Sequence, residues 1–177
     1  MKKLLGYSHA VILHDDVLSL NPDLCSIDVW SFEKSAEQAM RATHPDATTD
    51  KVCEALDLYR GEFLPADAAA PWTLKSRERL RGVFLRLVEH EGKRLEVEHQ
   101  WERAIDCYEC GLKSDDLAET FYQGLMRCYR ELDWRTEAMA TYRKLRQMLS
   151  VVLGMAPSES TQALARTLQA ESPAPPG

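Results

Sequence analysis

Arg103-Ala104-Ile105-Asp106-Cys107-Tyr108 and Glu137-Ala138-Met139-Ala140-Thr141-Tyr142 decide the fold. In each stretch an alanine is followed four residues later by a tyrosine, and the two copies lie 34 residues apart. The same offset relates Ile105 to Met139, Leu95 to Tyr129, Val88 to Tyr122 and Leu87 to Phe121. Thirty-four residues is the period of the tetratricopeptide repeat (TPR), whose small alanine lets two helices touch and whose aromatic residue follows one turn later. Gly92 supplies the small residue in the first helix of the first repeat, and Leu125 and Tyr129 supply the apolar pair in that of the second. The repeat-packing signature is therefore Gly92, Ala104, Tyr108, Leu125, Tyr129, Ala138 and Tyr142. An ordinary helical bundle with coincidental spacing is the competing reading. Ala55 and Tyr59 repeat the spacing 49 residues before Ala104, as a repeat with a longer insertion. Because about three repeats are needed for a stable stack, flanking helices must complete this one.

Working outward, helical signals run from Asp28 almost to the C-terminus. Asp28 is placed to cap a helix through Trp30, Phe32, Ala36 and Met40 that ends at His44-Pro45-Asp46. Thr48-Thr49-Asp50 is read as the cap of the next, which Gly61 stops. Phe63 and Leu64 are expected to anchor their loop in the core, since burying each is worth about 1.5–3 kcal/mol. Pro71 suits a first helical residue, with an apolar stripe from Leu80 to Leu95 behind it, and Trp101 opens the following helix. Asp116 with Glu119 has the form of a capping box, Asp133 starts a further helix closed by Gly154, and Ser158 caps the last. The proline-rich segment 171–177 is expected to be a disordered tail.

Residues 1–22 read differently. Val11-Ile12-Leu13 and Val17-Leu18-Ser19-Leu20, separated by His14-Asp15-Asp16 and ended by Asn21-Pro22, have the composition of a short β-hairpin. A two-stranded hairpin is marginal alone and must pack on something. The fold expected is all-α, with TPR-like antiparallel helix pairs in a right-handed stack and a small N-terminal β-hairpin.

The 177 residues, 45% hydrophobic and 28% charged, suffice for one substantial core. No apolar run approaches the roughly 20 residues needed to span a bilayer, and Gly6, Ser8 and His9 interrupt the signal-like start Met1-Lys2-Lys3-Leu4-Leu5. Five cysteines, an odd and scattered set, fit reduced thiols in a cytoplasm. A net charge of −6 argues against a chain that wraps nucleic acid.

Little in the sequence suggests chemistry. Cys107-x-x-Cys110 lacks the second pair that a structural zinc site requires. His90 and His99 lack zinc-hydrolase spacing and are expected at the surface. Gly-rich phosphate loops and nucleophile elbows are missing too. Neither catalytic residues nor cofactors nor metals are therefore expected. Trp30, Trp72, Trp101 and Trp134, near helix starts, fit either a ligand groove or, more economically, the core. Lys75, Arg79 and Arg86 fall within about 40° of one another at about 100° per residue, a basic stripe that suits either a phosphate or polymerase contact or a solvated helix flank.

Taken in order, Tyr59-Arg60-Gly61-Glu62-Phe63-Leu64-Pro65, Pro71-Trp72, the stretch from Arg77 to Leu80, Tyr108, Asp116-Leu117-Ala118-Glu119, Leu125-Met126-Arg127-Cys128-Tyr129, Glu137-Ala138, Tyr142, Leu153-Gly154 and Pro157-Ser158 resemble the bacterial transcriptional activator domain. That TPR-like domain occurs in streptomycete-type antibiotic regulators and MalT-like regulators, and the resemblance covers residues 28–170. In the family the domain follows an OmpR-like winged helix. Lys2-Lys3-Leu4-Leu5-Gly6 and the hairpin resemble the end of its recognition helix and its wing, and Asp28-Val29-Trp30-Ser31-Phe32-Glu33 resembles the junction. The resemblance implies that the chain is a fragment of a longer regulator, or a start inside one, with residues 1–22 a winged-helix remnant.

The expected function is that of a non-enzymatic effector domain. It would contact protein, either itself as a homodimer or RNA polymerase, and would position a winged helix that supplies DNA binding in the full-length protein. The alternative is a TPR-like adaptor or ligand sensor with no transcriptional role. No membrane partner is expected.

Overall fold

A computed structural model describes residues 9–15, 17–41, 45–67 and 70–170, with backbone alone at 17 and 45–50. It forms two compact units, divided between Arg60 and Gly61. The expected tail 171–177 and the Lys2-to-Gly6 segment lie outside the described residues.

In the first unit, strands β1 (Val11–His14) and β2 (Val17–Leu20) pair antiparallel, Val11 opposite Leu20 and His14 opposite Val17. Their two-residue connection puts Asp15 at φ 50°, the left-handed conformation such loops require and that aspartate tolerates. Asn21 closes the hairpin by donating its N–H to the Ala10 carbonyl and accepting the Asp23 N–H on its side chain. Helices α1 (Asp28–Arg41) and α2 (Pro45–Leu58) pack on each other through Phe32, Ala36, Ala39, Val52 and Ala55, with the Phe32 and Tyr59 rings 5.4 Å apart. Helix α2 begins at Pro45, not at the expected Thr48–Asp50 cap. Proline stops a helix before it, but it also opens one, since its missing N–H would have had no partner in the first turn.

The second unit comprises α3 (Pro71–Val97), α4 (Trp101–Ser114), α5 (Glu119–Glu131), α6 (Arg135–Leu153) and α7 (Glu159–Ala170), after a single 3₁₀ turn at Pro65–Asp67. Each helix packs on its successor across a short loop, so neighbours run antiparallel, and α3 touches α5 as α5 touches α7. This is a TPR-like stack in which α7 supplies the flanking helix that two repeats alone would lack. Leu87, Val88, Leu95, Tyr108, Phe121, Tyr122, Met126 and Leu145 are almost wholly buried and form its core.

The 34-residue period governs the turns as well as the apolar stripe. At the end of α3, Glu98 N donates to Arg94 O, His99 N to Glu96 O and Gln100 N to Leu95 O, and at the end of α5 Leu132, Asp133 and Trp134 repeat these bonds to Cys128, Arg130 and Tyr129. His99 and Asp133 both sit at φ 58°, the left-handed residue of a Schellman motif. Asp133 thus ends α5 instead of starting α6, and its carboxylate accepts from Arg135 Nε at 2.8 Å.

Two further expectations are corrected. Leu64 is 39% exposed, and its loop is held by Arg77 on α3, which donates to the Leu64 carbonyl and pairs with Glu62 at 3.1 Å. At Leu64 polar clamping of the backbone replaces apolar anchoring, while Phe63 is half-buried. Asp116 and Glu119 form no capping box. Asp115 accepts the Leu117 N–H, whereas the Glu119 carboxylate reaches the start of α7.

Candidate functional site

Tyr108 sits at the centre of the first repeat. Its ring lies between two glycines: a Cβ at Gly92 on α3 would fall 2.4 Å from Cε1, and one at Gly124 on α5 would fall 2.4 Å from Cε2. The backbones of α3 and α5 therefore close directly on the ring. Its hydroxyl donates to Glu96 Oε1, and Arg127 grips the same carboxylate through Nε at 2.7 Å and Nη2 at 2.8 Å. Burial, then the neighbouring Glu96 carboxylate, push the Tyr108 hydroxyl well above the usual phenol range, while the hydrogen bonds to Glu96 raise Arg127 further. The tyrosine is fixed as a neutral donor and the arginine as a cation.

The second repeat is looser. Ala138, like Ala104, is fully buried, but Tyr142 is only half-buried, packing with Tyr129, Met139 and Leu164 around Met126, Ala165 and Leu168. Met126 stands in the register position of Gly92, so the second tyrosine cannot sink between backbones as the first does. Leu125 is buried, and Tyr129 stacks on Trp134 at 6.1 Å. Gly124 was missed in the sequence because its register partner is His90, and only an isolated glycine between apolar helical residues marked it.

The stack ends on a second polar device. Ser158 is the cap of α7, its Oγ accepting the Thr161 N–H at 3.4 Å, while Glu119 Oε1 accepts from Ser158 N at 2.8 Å and from both hydroxyls. In a local capping box the glutamate at the third helical position accepts that serine N–H. Here Thr161 occupies that position and α5 lends the carboxylate from 39 residues away. Burial pushes Glu119 up, but its hydrogen bonds outweigh this and hold it below the usual range.

Lys75, Arg79 and Arg86 lie exposed on one flank of α3, and Arg79 has further interactions. Of the four tryptophans, Trp72 is 66% and Trp134 44% exposed, and neither enters the core. Cys107 and Cys128 are buried free thiols, pushed up to about 12 first by burial, and Cys107 Sγ lies 3.5 Å from the Val88 carbonyl. Cys110 is half-buried. Among the described residues there is no cluster fit to hold a metal, and no helix long and apolar enough to cross a membrane. Among the described residues the stack carries open concavities. One of about 330 Å³ between α4, α5 and α6 is lined by Leu112, Lys113, Tyr122, Tyr129 and Lys144, and one of about 670 Å³ lies at the end of α6. Both are open, polar-rimmed surfaces suited to contact.

Residues 27–169 match the bacterial transcriptional activator domain family. The chain belongs to that family. It is thus an effector domain of a transcription regulator, in a family of regulator domains and not of enzymes. Among solved structures, it is similar to Mycobacterium tuberculosis EmbR in complex with a low affinity phosphopeptide, with 18% identity and a TM-score of 0.67. The match covers 98% of this chain and 48% of that one, so the chain spans about half the length of the EmbR chain. At this identity the likeness is one of fold. No curated protein matches by sequence.

Proposed function

We propose that this domain regulates transcription by binding protein, either a second copy of itself or RNA polymerase, and thereby positions a winged-helix DNA-binding domain of which residues 1–22 are the end. The family match over residues 27–169 carries the reading. Its mode of action follows from the physics of the stack. Repeated helix pairs offer an extended surface for peptides and helices, and the acidic chain, at −6, is poorly suited to hold DNA by itself.

The hairpin supports the winged-helix part. Leu13 and Leu18 face each other across the strands at 67% and 58% exposure, with Leu20 beside them at 37%. Such an apolar face on a two-stranded hairpin is what a covered wing would present. The structure-forming signature Gly92, Ala104, Tyr108, Leu125, Tyr129, Ala138 and Tyr142 holds the stack, and Lys75, Arg79 and Arg86 are proposed as a minor contact stripe.

The test is a sedimentation series of the chain alone and with RNA polymerase, beside a mobility-shift titration on duplex DNA. Association with itself or with polymerase and only weak, salt-sensitive, sequence-independent DNA binding are expected. Tight sequence-selective DNA binding by this chain, or no protein association, would overturn the proposal.

A further inference from the structure

The second helices of the two repeats differ in length. Helix α4 ends at Ser114, whose register partner is Met148, yet α6 continues to Leu153. Leu149 is the last buried residue of α6, and beyond it Val151, Val152, Leu153 and Met155 are 78%, 55%, 51% and 62% exposed. Gly154, at φ 64°, turns the chain so that Met155 N donates back to Leu149 O at 3.2 Å. Four apolar side chains are thus presented on an ordered helix end.

Arginines border two of the four, Val151 and Met155. The 670 Å³ concavity there is lined by Arg143, Arg146, Gln147, Ser150, Val151 and Met155, and no carboxylate among the described residues lines it. The Arg143 Nε is 3.3 Å from the Met139 carbonyl, and neither arginine has a carboxylate partner among the described residues. From Arg135 to Met155 the only acidic residue is Glu137, against Arg135, Arg143, Lys144 and Arg146, in a chain that is acidic as a whole. At about 100° per residue Arg143, Gln147, Ser150 and Val151 lie opposite the buried Ala138, Leu145 and Leu149, with Arg146 at the edge between the two faces.

We infer that the α6 end is the docking site for an acidic amphipathic helix of a partner protein, its apolar ridge covering Val151 and Met155 and its carboxylates meeting Arg143 and Arg146. This deepens, and rests on, the protein-contact reading above. Charge complementarity selects the occupant. A symmetric contact with a second copy would set each pair of arginines near its own counterpart, and like charges at an interface oppose association. Duplex DNA offers phosphates to the arginines but nothing to bury the exposed Val151 and Met155 side chains.

The test measures anisotropy of a labelled synthetic helix with a leucine ridge flanked by glutamates, titrated with the full chain, beside the same helix carrying lysines. The glutamate helix is expected to bind, more weakly as salt rises, and the lysine helix is not. Arg143→Glu/Arg146→Glu and, separately, Val151→Ser/Met155→Ser should each weaken binding on the order of tenfold or more. Lys93→Glu/Arg103→Glu, exposed on α3 and α4, should leave it unchanged. All the substituted residues are exposed, so unchanged melting temperatures verify that the variants fold. Equal binding of the lysine helix, displacement by duplex DNA, insensitivity to either α6 variant, or a dimer that the α6 variants abolish would overturn the inference. If the chain binds polymerase but Arg143→Glu/Arg146→Glu does not weaken it, the surface is wrong and the protein-contact role stands. If it binds no protein at all, that role falls too.

Discussion

Replacing Gly92 with alanine puts a methyl carbon 2.4 Å from Cε1 and Cζ of Tyr108. The ring cannot retreat, because Gly124 closes its other edge equally tightly and its hydroxyl is tied to Glu96. Alanine gains about 1 kcal/mol over glycine in helix propensity. Overpacking a filled core costs about 1–3 kcal/mol, so the net loss reaches about 2 kcal/mol. For a body of this size that lowers Tm by roughly 5–10 °C. Gly82 lies on the same helix and supplies the control, since a Cβ there meets only Arg86 Nη1, at 3.5 Å, an ordinary contact. Gly82→Ala should therefore stabilise by about 0.5–1 kcal/mol through propensity alone. Adding Tyr108→Leu to Gly92→Ala should recover part of the loss relative to the sum of the single changes, because the methyl then has room. Calorimetry or thermal circular dichroism on the four variants checks this. If Gly92→Ala and Gly82→Ala shift Tm in the same direction, the sandwich does not constrain the stack and the reasoning fails.

Other consequences follow from the polar devices and the turns. Arg127→Met leaves the Glu96 carboxylate, 15% exposed, with only the Tyr108 hydroxyl, and should cost more than Tyr108→Phe, about 3 kcal/mol against about 1 in denaturant melts. Because Glu119 is held below its ordinary value in the folded chain, its contribution is present above the unfolded carboxylate range and is lost as pH falls through the folded value. Amide protection factors in α7, taken relative to the intrinsic rate at each pH, should fall on acidification before those in α5, and Glu119→Gln should flatten the difference; equal loss of protection in both helices would contradict this. His99→Gly should raise Tm more than Asp133→Gly, since both sit at φ 58° but aspartate tolerates that region better. Exposed Cys53 should react with a thiol reagent in the folded chain, while Cys107 and Cys128, pushed up to about 12, react only on unfolding.

The fold was legible where the information was local and periodic. The Ala104/Ala138 and Tyr108/Tyr142 pairs carry the repeat, and Pro71, Trp101 and Gly154 stand at helix ends for reasons of backbone chemistry. The misreadings share another cause. Asp116 and Glu119 match a capping box within four residues, but Glu119 finds more donors 39 residues away, and a local pattern does not encode that competition. Leu64 looks like a core residue until Arg77, from α3, takes its carbonyl. His99 and Asp133 share a backbone conformation and no side-chain chemistry, so the turn repeats at 34 residues where a search for similar residues passes over it.

That difference between repeating backbone and varying side chain bears on where contacts form. A stack needs its register kept only where helices touch, and the matched turns at His99 and Asp133 keep it. Departures from the register cost little only at positions no neighbour covers. Substituting Met126 for the small residue of the first repeat loosens the second around Tyr142. Continuing α6 past Leu149 adds residues that bury nothing internally. Exposed Val151, Val152 and Leu153 gain the chain no burial, and polar residues there would serve solubility better. An apolar, arginine-bordered helix end without an internal use is best accounted for by an external one, at the point where the second repeat outgrows the first.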